Sequence, residues 1–234
     1  MDEELSVGDV IEGTIARVQQ NMQPALVFIA VLTLLGTALE GGLSTFEPGA
    51  LGGFELPEFA RTALGIGAGV GGLIFVIVNI VGTYLPWEAV LRRSGFAPPD
   101  SEKRVFRYFL QAIIIGLCTA VGFLLLILPG LIFGARWAAA PAFLIAEKRG
   151  TIEAMSASWD AVRGGTTSVV LAYLIGVVVI FVLTLFPVQI GMGIVSIFFE
   201  NLVSNIGTVL TVALGVFLYG RLHGDSERIS QVFD

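Results

Sequence analysis

The chain has 234 residues, of which 55% are hydrophobic and 14% charged, and its mean hydropathy is +0.87. A soluble domain is about 45–50% apolar and about 25% charged, so this composition points away from a water-soluble globular fold and towards the bilayer as solvent. A formal net charge of −6, with Lys and Arg spread along the chain, argues against a nucleic-acid partner, which needs a clustered basic face.

Met1-Asp2-Glu3-Glu4 lacks the basic flank and early apolar core of a secretory signal, so no cleaved leader is expected. Over residues 7–18, Val7, Val10, Ile11, Ile15 and Val18 share one helical face, with Asp9, Glu12, Arg17 and Gln19 away from it. This predicts an amphipathic helix on the membrane surface, within an N-terminal segment 1–23. Ser6 followed by Asp9 is a capping signal, and Pro24 breaks the chain before the first span. Span one, 24–43, is apolar except for Glu40 near its far end.

Residues 44–61 hold Pro48, Pro57 and the acids Glu47, Glu55 and Glu58, and read as an exposed loop. The acids lack the fixed spacing of a cation site and read as solvated. Span two, 62–85, is crowded with glycine. Gly65 with Gly69, and Gly67 with Gly71, form overlapping GxxxG pairs that allow another helix, in the bundle or in a second copy, to approach closely. Asn79, in mid-span, is expected to hydrogen-bond across to a neighbouring helix. Trp87 is expected to anchor the inner interface, with a solvated Glu88 beside it. Lys103, Arg104 and Arg107 then fall in an interfacial loop and a short juxtamembrane helix over 100–107.

The stretch 108–147 carries one charge, Arg136, before its end, and as a single helix it would extend about 60 Å, twice the hydrocarbon thickness. It must fold back, and Pro129-Gly130 is the expected turn, giving span three at 108–128 and span four at 131–146. Cys118, the only cysteine, lies in an apolar run and reads as a small buried hydrophobe. After Lys148-Arg149-Gly150, residues 151–163 predict a second amphipathic helix. Thr151 caps it, Ile152, Met155, Trp159 and Val162 form its apolar face, and Gly164-Gly165 end it. Trp159 is expected at the headgroup level. Span five, 166–187, ends at Pro187; residues 188–201 are expected along the outer interface; span six is 202–221, followed by a cytoplasmic tail, 222–234. His223, in that tail, has no second histidine or cysteine with which to share a metal.

With six spans, Arg17, Arg92, Arg93, Lys103, Arg104, Arg107, Lys148, Arg149, Arg163, Arg221 and Arg228 fall on one side, and Arg61 alone on the other. Cytoplasmic loops retain Lys and Arg, so both termini are expected in the cytoplasm. Amphipathic segments precede spans one, three and five, an arrangement consistent with three tandem helix-hairpin units.

The order Leu128-Pro129-Gly130-Leu131-Ile132, Arg136-Trp137, Ala140-Pro141, Glu147, Ile152-Glu153-Ala154-Met155, Ser158-Trp159 and Arg163-Gly164 resembles the glycerophosphodiester phosphodiesterase membrane-domain-like family of prokaryotic membrane proteins. The resemblance covers about residues 100–185 and the rest only in layout. It implies a six-helix bundle with interface helices. In the proteins that gave the family its name, the membrane region is joined to a phosphodiesterase barrel. This chain has no room for the barrel and none of its acid and histidine constellation.

The fold expected is therefore all-α: a bundle of about six transmembrane helices with amphipathic interface helices. Arg136 is the most informative side chain, expected roughly 8 Å inside the outer end of span four. A charge there must pair, face a polar cavity or reach headgroups. Glu40 and Glu200, expected at the same outer level, are candidate partners, and an anionic lipid headgroup is the alternative. No nucleophile, base or metal set is recognisable, so no catalysis and no cofactor are expected. The expected role is a non-enzymatic accessory subunit or envelope-assembly factor. The alternative is a carrier or channel for a lipid, amphiphile or small solute, with Arg136 and Asn79 lining its path. Expected partners are membrane lipids, with another membrane protein or a second copy as further candidates.

Overall fold

A computed structural model describes residues 5–44, 58–97, 104–190 and 193–233. These residues form helices α1 (Val7–Gln20), α2 (Met22–Ser44), α3 (Glu58–Arg93), α4 (Val105–Leu125), α5 (Ile127–Arg136), α6 (Ala140–Ala146), α7 (Thr151–Ala161), α8 (Thr166–Ile190) and α9 (Ile194–Phe233). A single 3-10 turn, Arg163–Gly165, joins α7 to α8, and no strand occurs among the described residues. Six segments are long and apolar enough to cross a bilayer: Met22–Gly41, Gly72–Arg93, Val105–Leu125, Ile127–Ala146, Thr166–Leu185 and Ile194–Arg221. The protein is a polytopic, all-α membrane protein. Helices dominate because hydrocarbon offers backbone N–H and C=O groups no partner outside their own segment.

α9 is the axis of the bundle and packs against α1, α2, α3, α6 and α8. Of its span, 56% is buried, against 6% of the α8 span, which leans on α5 and α9. The densest packing lies where α3, the α5–α6 break and α9 converge. There Trp87, Leu91, Ala138, Leu144, Val212 and Val216 are buried together. Gly215 makes this convergence possible, since a Cβ at that position would overlap both the Ala138 carbonyl oxygen and the Trp87 ring. Trp87 is only 3% exposed and is a core residue, not the interface anchor expected from its neighbours in sequence. Glu88 is likewise buried and paired with Arg92 one turn on, where a solvated carboxylate was expected.

Among the described residues, Arg17, Arg104 and Arg149 lie at one end of the bundle. Arg17 donates to the Ser94 hydroxyl at 3.3 Å and lies 5.7 Å from the Phe96 ring centroid, while Phe96 and Arg17 both border Gly220. Arg104 donates to the Arg149 carbonyl at 2.8 Å, and Arg149 bonds Glu147 at 2.5 Å. The described chain therefore enters and leaves the bundle at the same end. Gly41 meets Ile194 at the other.

α1 has the predicted span and cap: the Asp9 N–H donates to the Ser6 hydroxyl at 3.1 Å, and the Ser6 N–H donates to the Asp9 carboxylate at 2.9 Å. Val10 is fully buried against α8 and α9, and Gly13 lets the Phe217 ring lie directly on the α1 backbone. The amphipathic face is spent on protein rather than on lipid alone.

Four boundaries differ from expectation, each for a local reason. α4 turns at Leu126, which is extended (φ −162°, ψ 144°), not at Pro129-Gly130. Proline cannot donate to the carbonyl four residues back, so the helix breaks one turn earlier and Pro129 occupies the first turn of α5, where no donor is needed. The hairpin then closes backbone to backbone: a Cβ on Gly122 would sit 2.8 Å from the Gly130 nitrogen. Second, 188–201 is no interfacial segment. α8 continues to Ile190, and after a turn at Gly193 (φ 155°), which favours glycine, α9 begins at Ile194. Third, residues 105–107 are the first turn of α4 and not a separate juxtamembrane helix; 98–103 lie outside the described residues. Fourth, Gly150 and not Thr151 is the N-cap of α7, its N–H donating to Glu153 at 3.1 Å. The buried face of α7 is Ala154, Met155 and Ser158, with Ile152 65% exposed. Cys118 is half-buried.

Candidate functional site

Span four is two helices, α5 and α6, separated by the turn Trp137–Ala138–Ala139. Ala135, Ala138, Ala139, Ala140 and Ala142 are all buried, and only side chains this small let the turn press against α9 at Gly215. Pro141 follows in the first turn of α6, where its missing N–H costs nothing. The Gln111 amide of α4 donates to the Ala140 carbonyl at 3.3 Å, tying α4 to the first residue of α6. Arg136 is the last residue of α5 and so stands at this interruption.

Its guanidinium does not lie at the outer level. Nη2 donates to the Thr166 hydroxyl at 2.9 Å, at the first residue of α8, and the guanidinium carbon lies 4.5 Å from the Trp159 ring centroid. The Arg136 carbonyl accepts from the Ser158 hydroxyl at 2.6 Å, which latches α7 to the end of α5. Phe133 and Trp137 stack at 5.2 Å, and Trp159 closes the group at 6.0 and 5.7 Å from them. Gly134, two residues earlier, receives the Tyr173 ring of α8: a Cβ there would lie 2.6 Å from the phenolic oxygen. The earlier turn at Leu126 explains the depth, since Arg136 stands about 15 Å along α5 from the hairpin tip rather than roughly 8 Å. Trp159, expected as a headgroup anchor, is half-buried and serves as the platform for Arg136.

The other candidate residues are elsewhere. Glu40 accepts from the Asn201 amide of α9 at 3.0 Å, and Gly36 leaves the space in which Asn201 sits. Glu200 is exposed on α9 and has no side-chain partner among the described residues. The structure thus brings neither acid to Arg136. Asn79 donates to the Phe75 carbonyl of its own helix at 3.4 Å, instead of across to a neighbour. Gly65, Gly67, Gly69 and Gly71 fall in the part of α3 whose surroundings lie outside the described residues.

Two features escaped the sequence reading. One is a polar seam between α2 and α9, in which Asn205 donates to the buried Thr33 hydroxyl at 3.2 Å one turn from the Asn201–Glu40 bond. The other is an apolar cleft of about 620 Å³ between α1, α8 and α9, lined by Val10, Thr14, Tyr173, Ile180, Gly207 and Leu214 among others. That volume is in the range of small-molecule and cofactor sites.

Neither feature is a constellation of reactive groups, and among the described residues no three His, Cys, Asp or Glu side chains gather. No family model, curated protein or solved structure matches this chain. The architecture and the chemistry of these sites carry the functional argument alone.

Proposed function

We propose that the chain is a non-enzymatic accessory or organising protein of a prokaryotic inner membrane, with both termini in the cytoplasm and the family relationship that residues 100–185 indicate. The observation that carries this reading is the exposed apolar side of α8. Leu171, Ile175, Val178, Val182 and Leu185 follow one another at helical spacing and are each 43–57% exposed. Only 6% of this span is buried, so α8 offers a continuous apolar stripe of about 21 Å to whatever adjoins it in the bilayer. Packing between membrane helices supplies the association energy that water cannot. Photocrosslinkers at Val178 and Val182 in native membranes test the reading: a protein adduct of one defined mass supports it, and adducts to lipid alone overturn it.

The cleft between α1, α8 and α9 favours a second reading, a carrier or reservoir for an amphiphile. Its walls are almost wholly aliphatic, with Thr14, Thr184, Thr211 and Tyr173 as the polar exceptions. Bulky replacement of Gly207, which faces Ile180 across the cleft, would then abolish retention of a bound acyl chain after purification.

A further inference from the structure

Arg136 is a cation with no acidic partner among the described residues. Its two side-chain contacts, the Thr166 hydroxyl and the Trp159 face, are neutral, and its Nε is buried with no hydrogen-bond acceptor. Asp160, beside Trp159 on α7, is committed to Arg163 at 3.3 Å. The Thr166 hydroxyl donates its own proton to the Val162 carbonyl at 2.8 Å and can offer the guanidinium only a lone pair. The local helix ends do not repair the balance. Arg136 stands at the C-terminus of α5, worth roughly half a negative charge, and opposite the N-terminus of α8, worth roughly half a positive one. About one unit of positive charge is left over, in a segment that crosses the membrane. Leaving a charge partly desolvated and unpaired is costly enough that such side chains in spans pair or meet an anion.

We propose that the missing counter-ion is a phosphate, supplied by the headgroup of an anionic phospholipid. The guanidinium presents a planar fork of donors suited to phosphate oxygens; Nε is sealed inside the protein and Nη2 is held by Thr166, so Nη1, which donates to none of the described residues, is the donor turned towards an incoming oxygen. The position suits a headgroup at the edge of the bilayer, with polar and apolar surface of α7 both exposed beside it. Arg136 ends a helix of a membrane span, α7 beside it exposes Ile152, and α8 turns its apolar stripe to lipid. This assignment does not depend on the accessory role above, since an organising protein and a carrier could both hold such a lipid.

The test uses the full chain in nanodiscs of phosphatidylcholine doped with brominated phosphatidylglycerol, reading tryptophan quenching. Trp137 and Trp159 flank Arg136, and a Trp87→Phe background leaves these two as the only tryptophans. Brominated phosphatidylglycerol is expected to quench with about fivefold preference over brominated phosphatidylcholine, the factor that corresponds to about 1 kcal/mol for one basic residue meeting anionic lipid. Arg136→Gln should lose the preference, and Arg136→Lys, which keeps the charge but not the fork, should retain only part of it. Arg93→Gln, an exposed cation at the basic end, should leave it intact. Equal quenching by the two lipids in the unsubstituted chain overturns the proposal, as does an equal loss in Arg93→Gln. Displacement by millimolar inorganic phosphate would assign the site to free phosphate and overturn the lipid as its source.

Discussion

Thr33 and Asn205, far apart in sequence, meet across the α2–α9 interface through a 3.2 Å hydrogen bond, and both are almost completely buried. With Asn201 and Glu40 one turn away, they form the polar seam that fixes the register of the two helices. A slide of one residue would break both interhelical bonds and leave the Asn201 and Asn205 amides only their partners within α9, the Ile197 and Asn201 carbonyls.

Asn205→Leu and Thr33→Val, separately and together, measure that bond. Hydrogen bonds between membrane helices average about 0.6 kcal/mol in double-mutant cycles, with a maximum of about 1.7. A coupling energy in this range is expected from unfolding titrations in mixed micelles. Zero coupling would mean that the seam does not set the interface.

Gly122→Ala should destabilise the α4–α5 hairpin by about 1–3 kcal/mol, the usual cost of overpacking. The obstacle is the Gly130 backbone at 2.8 Å, which cannot rotate away as a side chain could. Gly116→Ala is the control on the same helix, with nothing within 4 Å of the added methyl group, and should be neutral in the same thermal-shift measurement.

Orientation follows from two single cysteines in a Cys118→Ser background. Arg93→Cys lies at the basic end and Ile194→Cys at the opposite one. In intact cells an impermeant maleimide should label Ile194→Cys and spare Arg93→Cys until the membrane is opened. The reverse pattern would invert the topology.

The capping box of α1 sets a pH dependence. The Ser6 hydroxyl and backbone N–H hydrogen-bond the Asp9 carboxylate and hold its pKa below the usual 3.8. A depressed carboxylate pKa contributes stability that is fully present above the unfolded value and is lost as pH falls through the folded one. The cap of α1 should therefore be intact at neutral pH and loosen only in acid below that ordinary value. Ser6→Ala should move the Asp9 titration upward, which carboxyl-carbon NMR of the labelled protein would detect; an unchanged titration would disprove the capping assignment.

The number of spans and the gathering of basic residues were legible because the bilayer acts on composition, which a sequence displays directly. The ends of helices were less so. α3 and α9 run to 36 and 40 residues because helix continues past the apolar segment, and nothing in hydropathy marks that. Trp87 stands beside Glu88 and Arg92, as an interface tryptophan would, and only Gly215, remote in sequence, makes room for it in the core. The depth of Arg136 was misjudged because the turn was assigned to Pro129-Gly130 rather than to the turn before the proline. The polar seam, in contrast, was within reach. Thr33, Gly36, Thr37 and Glu40 share one face of α2, and Asn201 and Asn205 lie four apart on α9, but the pattern vanishes once 188–201 is taken out of the bundle.

The single-residue bend at Leu126 bears on how the protein is made. α5, at ten residues, is too short to halt a translocating chain by itself, and it carries an arginine. Joined to α4 by one extended residue and sealed against it at Gly122 and Gly130, it is placed to enter the bilayer beside that helix, with α6 completing the span Ile127–Ala146. The two would leave the insertion machinery as a preformed pair, while the arginine waits for Trp159 of α7 and Thr166 of α8, its contacts in the finished fold.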